Sequence, residues 1–459
     1  MSQKMGFDRR TFLRSAGLTA FAGAVGASTG TAAAAALPAA APGAEPANGK
    51  YDFDTLHNRI GTDSTKWDRQ IQLYGHDHVD AGMGIADMDF SPAPCITRAL
   101  LARIERDNWG YMTIPDSHVQ SIVKWNKRRY GLDIDPSWVV NSPALHPALI
   151  ATLRAFSPPG TRVIMPSPSY SGFYSDLRVT GTTPVDVPFK VKDGHFSMDL
   201  EGIERAISHD THTLILCNPQ NPTGNVWSKA DLMAVGEICL KRRVVVLSDE
   251  IHCDFVHKGH TYTPFASLPN EAVVRNSITF KAGSKSFNLA AMKTAYFFTS
   301  NAEYRTRIKA WHRDEISTLG MVAHDAAYTD GDAWLDQVRT YLDANLTFVE
   351  DYIGKNIPLI KMVKPQGTYL AWLDVSAVVD KVGARALTAD ANKKRDPSLV
   401  PLTPSHIMET WFVEHAKVQM NPGGGFGTGG EERMRMNCAT NRKTLQLALG
   451  NLASAVRSL

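Results

Sequence analysis

HTLILCNPQNPTGNVWSKADLMAVGEICLKRRVVVLSDEIH, residues 212–252, holds two apolar, β-branched runs on either side of a segment with helical periodicity. The first run ends in a proline-rich turn, NPQNPTG (218–224), and the second in a polar tip, SDEIH (248–252). Short apolar runs bounded by turn residues read as buried strands, and the spacing of SKADLMAVGEICLKR (228–242) reads as a helix between them. Strand, polar tip, helix, strand is the pattern of a mainly parallel sheet with helices on both faces. Ligands of such sheets sit beyond the carboxyl ends of the strands, so the polar tips are where chemistry is expected.

The pattern extends outward in both directions. TRVIMPSPSY (161–170) and SITFKAGSK (277–285) repeat strand and polar tip, and NSPALHPALIATL (141–153) is a turn running into a helix. LDQVRTYLDANLTFVEDYIGKN (335–356) is a long helical pattern suited to a spine between two lobes. PQGTYLAWLDV (365–375), HAKVQMNPG (415–423) and RMRMNCA (433–439) read as strands of a second, smaller lobe. The division expected is a linker and N-terminal segment joining the small domain (42–85), a large domain (86–330) and a small C-terminal domain (331–459). Within the last, the polar stretch 378–404 reads as an exposed insertion. The glycine-rich GGGFGTGG (423–430) lacks a strand–turn–helix setting for a dinucleotide and reads as a flexible loop over a substrate mouth.

The 459 residues carry 49 basic and 46 acidic side chains. Four of those basic residues and one acid fall in 1–41, so the body balances at 45 and 45, which gives no argument for nucleic acid. Five unpaired cysteines imply neither a disulfide framework nor a zinc site, and no metal is expected. Residues 1–41 have a basic start, a mildly apolar Ala/Gly stretch and a small-residue end. Arg9 and Arg10, followed by Thr11, Phe12 and Leu13, resemble a twin-arginine signal, with an Ala-rich tail as the plain alternative. The signal implies the twin-arginine export machinery as a partner and a periplasmic or extracellular location.

Taken together, the strand tips carry Tyr170, an amide (Asn221), a carboxylate (Asp249) and a lysine (Lys285), with Arg435 in the late strand. In this order and at these separations they resemble the fold type I pyridoxal-phosphate enzymes of the aspartate aminotransferase superfamily, across 51–459. That resemblance implies an α/β fold, with a mainly parallel seven-stranded sheet between helices and a smaller α+β domain. It also implies pyridoxal 5'-phosphate as cofactor. An amine holds that cofactor covalently, the role implied for Lys285. A carboxylate, here Asp249, keeps its pyridine nitrogen protonated. Asn221 is implied to bond the phenolic oxygen, Tyr170 to stack on the ring, and Arg435 to grip the substrate carboxylate with its planar fork. The phosphate wants backbone N–H groups at a helix start, which Ala144 and Leu145 supply, with Ser284 beside the lysine.

RIGTDSTKWD (59–68), IADMDFSPAPCI (85–96), WGY (109–111), SDEIHCD (248–254) and GSKSFNLA (283–290) narrow the resemblance to the MalY/PatB group of cystathionine β-lyase-like C–S lyases. His252 stands where aminotransferases of the superfamily usually carry a tyrosine. Tyr111 matches a tyrosine that reaches the phosphate of a neighbouring subunit, which implies a homodimer with shared active sites. Two departures stand out: Ala144 and Ala282 occupy positions where a hydroxyl is frequent. Lys293 is expected to contact the phosphate in their place, whereas Lys281 reads as part of a solvated face. The implied activity is cleavage of an L-amino acid bearing a β-thiol leaving group to pyruvate, ammonia and a thiol. The alternatives are an aminotransferase and a cofactor-bound regulatory protein.

Overall fold

Seven strands form the central sheet: β1 (Val139–Ser142), β2 (Arg162–Ser167), β3 (Thr183–Pro188), β4 (Thr211–Cys217), β5 (Val245–Asp249), β6 (Ser277–Lys281) and β7 (Ala295–Phe298). The structure is a computed structural model that describes residues 42–459; the predicted twin-arginine leader lies outside the described residues. Spatial order is β1-β7-β6-β5-β4-β2-β3, with every strand parallel except β7, which runs against both its neighbours. This is the mainly parallel sheet that 212–252 predicts.

Alternate side chains of one strand serve two separate cores. On β4, Ile215 and Cys217 pack with Met165, Leu247 and Phe280 on one face, while Leu214 and Leu216 pack with Ile164, Val246 and Leu232 on the other. Burial on both faces is why these strands read as unbroken apolar runs rather than alternating ones. The intervening helix, Lys229–Arg242, starts at a reciprocal cap between Ser228 and Asp231.

A second sheet, with β8 (Leu370–Asp374), β9 (Asn421–Pro422) and β10 (Arg433–Asn437), is antiparallel in the order β8-β10-β9. The 25-residue helix Asp332–Asn356 joins the two bodies. Trp334, Leu335, Val338 and Leu342 pack in the core beside the large sheet, and Leu346, Val349 and Ile353 pack in that of the small sheet. The N-terminal segment divides similarly. Ala81 pairs with Val418 in the small body, whereas Phe53 packs edge-on against Phe90 and Trp334.

Two expectations are corrected. The stretch 378–404 is not an exposed insertion throughout: Ser376–Val382 and Ala384–Lys393 are helices, joined at Gly383 in a left-handed conformation. Val378, Val379 and Ala384 are buried in the small core, while the charged outer faces make the segment read as polar. The glycine-rich loop is tied down rather than free. Thr428 donates from its backbone N–H and hydroxyl to Asp186 at 2.7 and 2.8 Å, and the Phe426 carbonyl accepts from the Ser169 N–H at 2.7 Å. Gly427, at φ 85°, has no room for a Cβ against Tyr174.

Candidate active site

The carboxyl ends of five strands deliver the predicted groups to one cavity of about 380 Å³. Asp249 is the last residue of β5, Lys285 lies four residues past β6, and Asn221 four past β4. Tyr170 follows β2, and Ala144 and Leu145 follow β1 at the start of the helix Leu145–Phe156. His252, Ser284, Lys293 and Arg435 line the same space. Tyr111 does not; it is fully exposed on its own chain, beside a half-exposed Trp109.

Each group meets the cavity with a bonding valence to spare. Lys285 Nζ donates to the Ala86 carbonyl at 2.8 Å. Burial first, and then the Arg435 guanidinium, push its pKa down to about 8, so the free amine is accessible near neutral pH. The Asp249 carboxyl is held by one backbone N–H, from Ile251 at 3.0 Å, and burial pushes it up to about 7. Arg435 is buried, and among the described residues it has no carboxylate partner. Its fork donates to Asn221 Oδ1 and the Gly84 carbonyl, both at 3.0 Å, Nε has no partner, and burial lowers its pKa to about 10. A guanidinium only donates, so Asn221 must present its oxygen to Arg435, which leaves its amide N–H groups for a ligand. His252 is buried, its Nδ1 has no partner among the described residues, and burial drives it well below its ordinary pKa, so it is neutral.

The segment receiving Lys285 and Arg435 is itself clamped. Lys66 Nζ and Trp67 Nε1 donate to Asp89 at 2.7 and 3.0 Å, and Arg59 reaches Asp87 at 2.8 Å. Asn437 Nδ2 donates to the carbonyls of Ile85 and Asp87, both at 2.6 Å. The motifs at 59–68 and 85–96 thus hold Gly84 and Ala86 as acceptors. Sequence reasoning missed these backbone roles, and also His146. That imidazole lines the cavity at 2.7 Å from Asp176, whose hydrogen bond raises its pKa. Its signal lay inside SPALH, but Asp176 sits 30 positions away on another helix.

Lys281 is corrected. It is 2% exposed and points away from the cavity, so it is neither solvated nor near a phosphate. One-residue alternation puts Phe280 on the cavity side and Lys281 on the opposite face of β6.

The residues fit pyridoxal phosphate. A depressed-pKa amine, an unpaired buried carboxylate, a free amide and a ring at Tyr170 surround one space. Beside them, a helix start and the unpartnered hydroxyl of Thr294 suit a phosphate dianion. Residues 81–452 match the aminotransferase class I and II family. Cystathionine β-lyase PatB of Bacillus subtilis (strain 168) is 34% identical over 410 residues, covering 88% of this chain and 99% of that protein. Protein MalY of Escherichia coli (strain K12) is 31% identical over 419 residues, covering 89% and 100%. Among solved structures, cystalysin from Treponema denticola, which contains pyridoxal 5'-phosphate, superposes with a TM-score of 0.80 at 29% identity, covering 89% and 99%.

Proposed function

Because the chain belongs to the aminotransferase class I and II family, we propose that it is a pyridoxal-phosphate-dependent carbon–sulfur β-lyase. Its substrate is an L-amino acid with a thiolate leaving group at Cβ, such as cystathionine or a cysteine conjugate, and its products are pyruvate, ammonia and a thiol. The observation that carries the site is the meeting of Asn221, Asp249, Lys285 and Arg435 in one cavity. The likeness to a cystathionine β-lyase over 88% of the chain supports cleavage over amino transfer.

Lys285 would hold the cofactor covalently, with Asn221, Asp249, Tyr170 and the start of the helix Leu145–Phe156 around it. When bound, pyridoxal phosphate supplies a protonated ring that draws electron density from the substrate Cα. Asp249 keeps a proton at the pyridine nitrogen by opposite charge, a pairing that its own unpaired state leaves open. Arg435 binds the substrate carboxylate through its fork, which fixes the Cα–H bond relative to Lys285. Once the substrate's own amino group has displaced it from the cofactor, the Lys285 amine takes the Cα proton; as the Cα–Cβ double bond forms, the carbon–sulfur bond breaks and the thiolate leaves, and water then releases the three-carbon remainder as pyruvate and ammonia. Neutral His252 offers no charge to compete for the carboxylate. Lys293, on the cavity rim, adds positive charge for the phosphate where Ala144 and Ala282 offer no hydroxyl. Pure holo-protein, given cysteine conjugates and ordinary amino acids with and without 2-oxoglutarate, tests this reading. Pyruvate and thiol without the acceptor are expected; keto acid formed only with the acceptor would identify an aminotransferase.

The exposed Tyr111 supports a homodimer in which this ring reaches the neighbouring subunit's phosphate. The Arg9–Arg10 leader supports twin-arginine export of the folded, loaded protein to the periplasm or beyond.

A further inference from the structure

Behind the sheet, on the face opposite the cavity, Lys281 sits in a buried cage. Its ammonium donates to Asn126 Oδ1 at 2.8 Å and lies 4.1 Å from the centre of the Tyr130 ring and 5.3 Å from that of Tyr262. No carboxylate stands within ion-pair distance of it among the described residues. An ammonium has three donors and no acceptor; here one hydrogen bond and two ring faces replace its water. Each of those two rings is in turn bonded through its hydroxyl to a carboxylate. The Tyr262 hydroxyl donates to Glu250, and the Tyr130 hydroxyl donates to Asp254. Glu250 also accepts from the Ser248 hydroxyl and the Phe265 N–H, both at 2.9 Å, and Asp254 accepts from the Ser286 hydroxyl.

The two carboxylates touch the chain beside the two reactive groups. Glu250 directly follows Asp249, and Ser286 directly follows Lys285. Cys253, Tyr296 and Tyr328 are further titratable groups around the cage, and Arg129, bonded to Asp336, acts on Asp254 and Tyr130 from outside it. A buried carboxylate deprived of its cation is costly, and its uncompensated negative charge raises the proton affinity of the groups beside it. Burial already pushes Glu250 upward, and Lys281 is foremost among the groups that hold it down.

We propose that Lys281 is a positioning residue: its ammonium, through Tyr262 and Tyr130, balances Glu250 and anchors Asp254, and so sets the charge behind Asp249 and the placement of Lys285. The inference rests on the reading of Asp249 and Lys285 as the cofactor-holding pair.

The test is a pH titration of the visible absorption of the holo-protein, with thermal unfolding as the control. Removing a positive charge raises the proton affinity of neighbouring groups. Lys281→Met is therefore expected to move the midpoint upward by about half a pH unit, roughly a threefold change in proton affinity. Adding Glu250→Gln removes the carboxylate that lost its cation and brings the midpoint back. A merely structural role would lower the unfolding temperature and leave the midpoint in place, and that result overturns the proposal. If Lys281→Met does not fold, Lys281→Gln keeps a donor for Asn126 and is expected to give the same upward shift; an unmoved midpoint there is equally fatal. A pH-titrating visible band that persists unchanged in Lys285→Ala would overturn the cofactor reading itself, and this inference with it.

Discussion

A lysine buried beside an arginine gives up its proton early, and Lys285 illustrates the cost and the use of that placement. Its pKa near 8 means that the amine is mostly protonated at pH 7 and mostly free at pH 9. Only the free amine reacts with an aldehyde, so capture of added pyridoxal phosphate by the apo-protein is expected to accelerate with pH and reach half its maximum rate near pH 8. Stopped-flow absorption reads this directly; a half-point near the ordinary 10.5 would contradict the buried placement. Lys285, Asp249 and Asn221 follow recognisable strand ends and Arg435 lies within a late strand, and it was the resemblance of their order and separations to a known family that pointed to them. Lys281 was not legible in the sequence: its hydrogen-bond partner, Asn126, lies 155 positions away, and nothing in FKAGSK reveals which face of the strand is dry.

At the scale of elements, the strands of the large sheet were readable because burial on both faces leaves continuous apolar runs. The helices at 376–393 were not, because a short helix on the edge of a domain shows the sequence mostly its charged side. Their burial carries a stability prediction. Val378 is fully buried in the small core, and an aspartate there would strand a charge among Leu373, Met408 and Leu445. Val378→Asp is expected to cost ~3 kcal/mol or more. Replacement of 396–400 by glycine and serine, in the exposed connection, is expected to cost little. Urea unfolding compares the two; equal losses would mean that the helices do not pack as described. The glycine-rich loop was half legible. Its backbone demands glycine at Gly427, but the anchor at Asp186 lies more than 200 positions away.

For the whole molecule, the fold follows from alternating strand and helix, but assembly and address lie outside what one chain's packing determines. Tyr111 is wholly exposed, which a lone monomer does not need. Light scattering is expected to give twice the chain mass of 50.3 kDa, and Tyr111→Phe to weaken cofactor affinity without dissociating the dimer. A monomer with full affinity would contradict this. Replacing Arg9 and Arg10 with lysine is expected to keep the protein in the cytoplasm; unchanged export on fractionation would remove the twin-arginine reading. The central claim concerns which bond breaks in the cavity. Its most direct measurement is the stoichiometry of thiol, pyruvate and ammonia released from L-cystathionine by holo-protein with no 2-oxo acid present. Equal amounts of all three, lost in Lys285→Ala, are predicted. Cystathionine left intact, or consumed only when an amino acceptor is added, would contradict it.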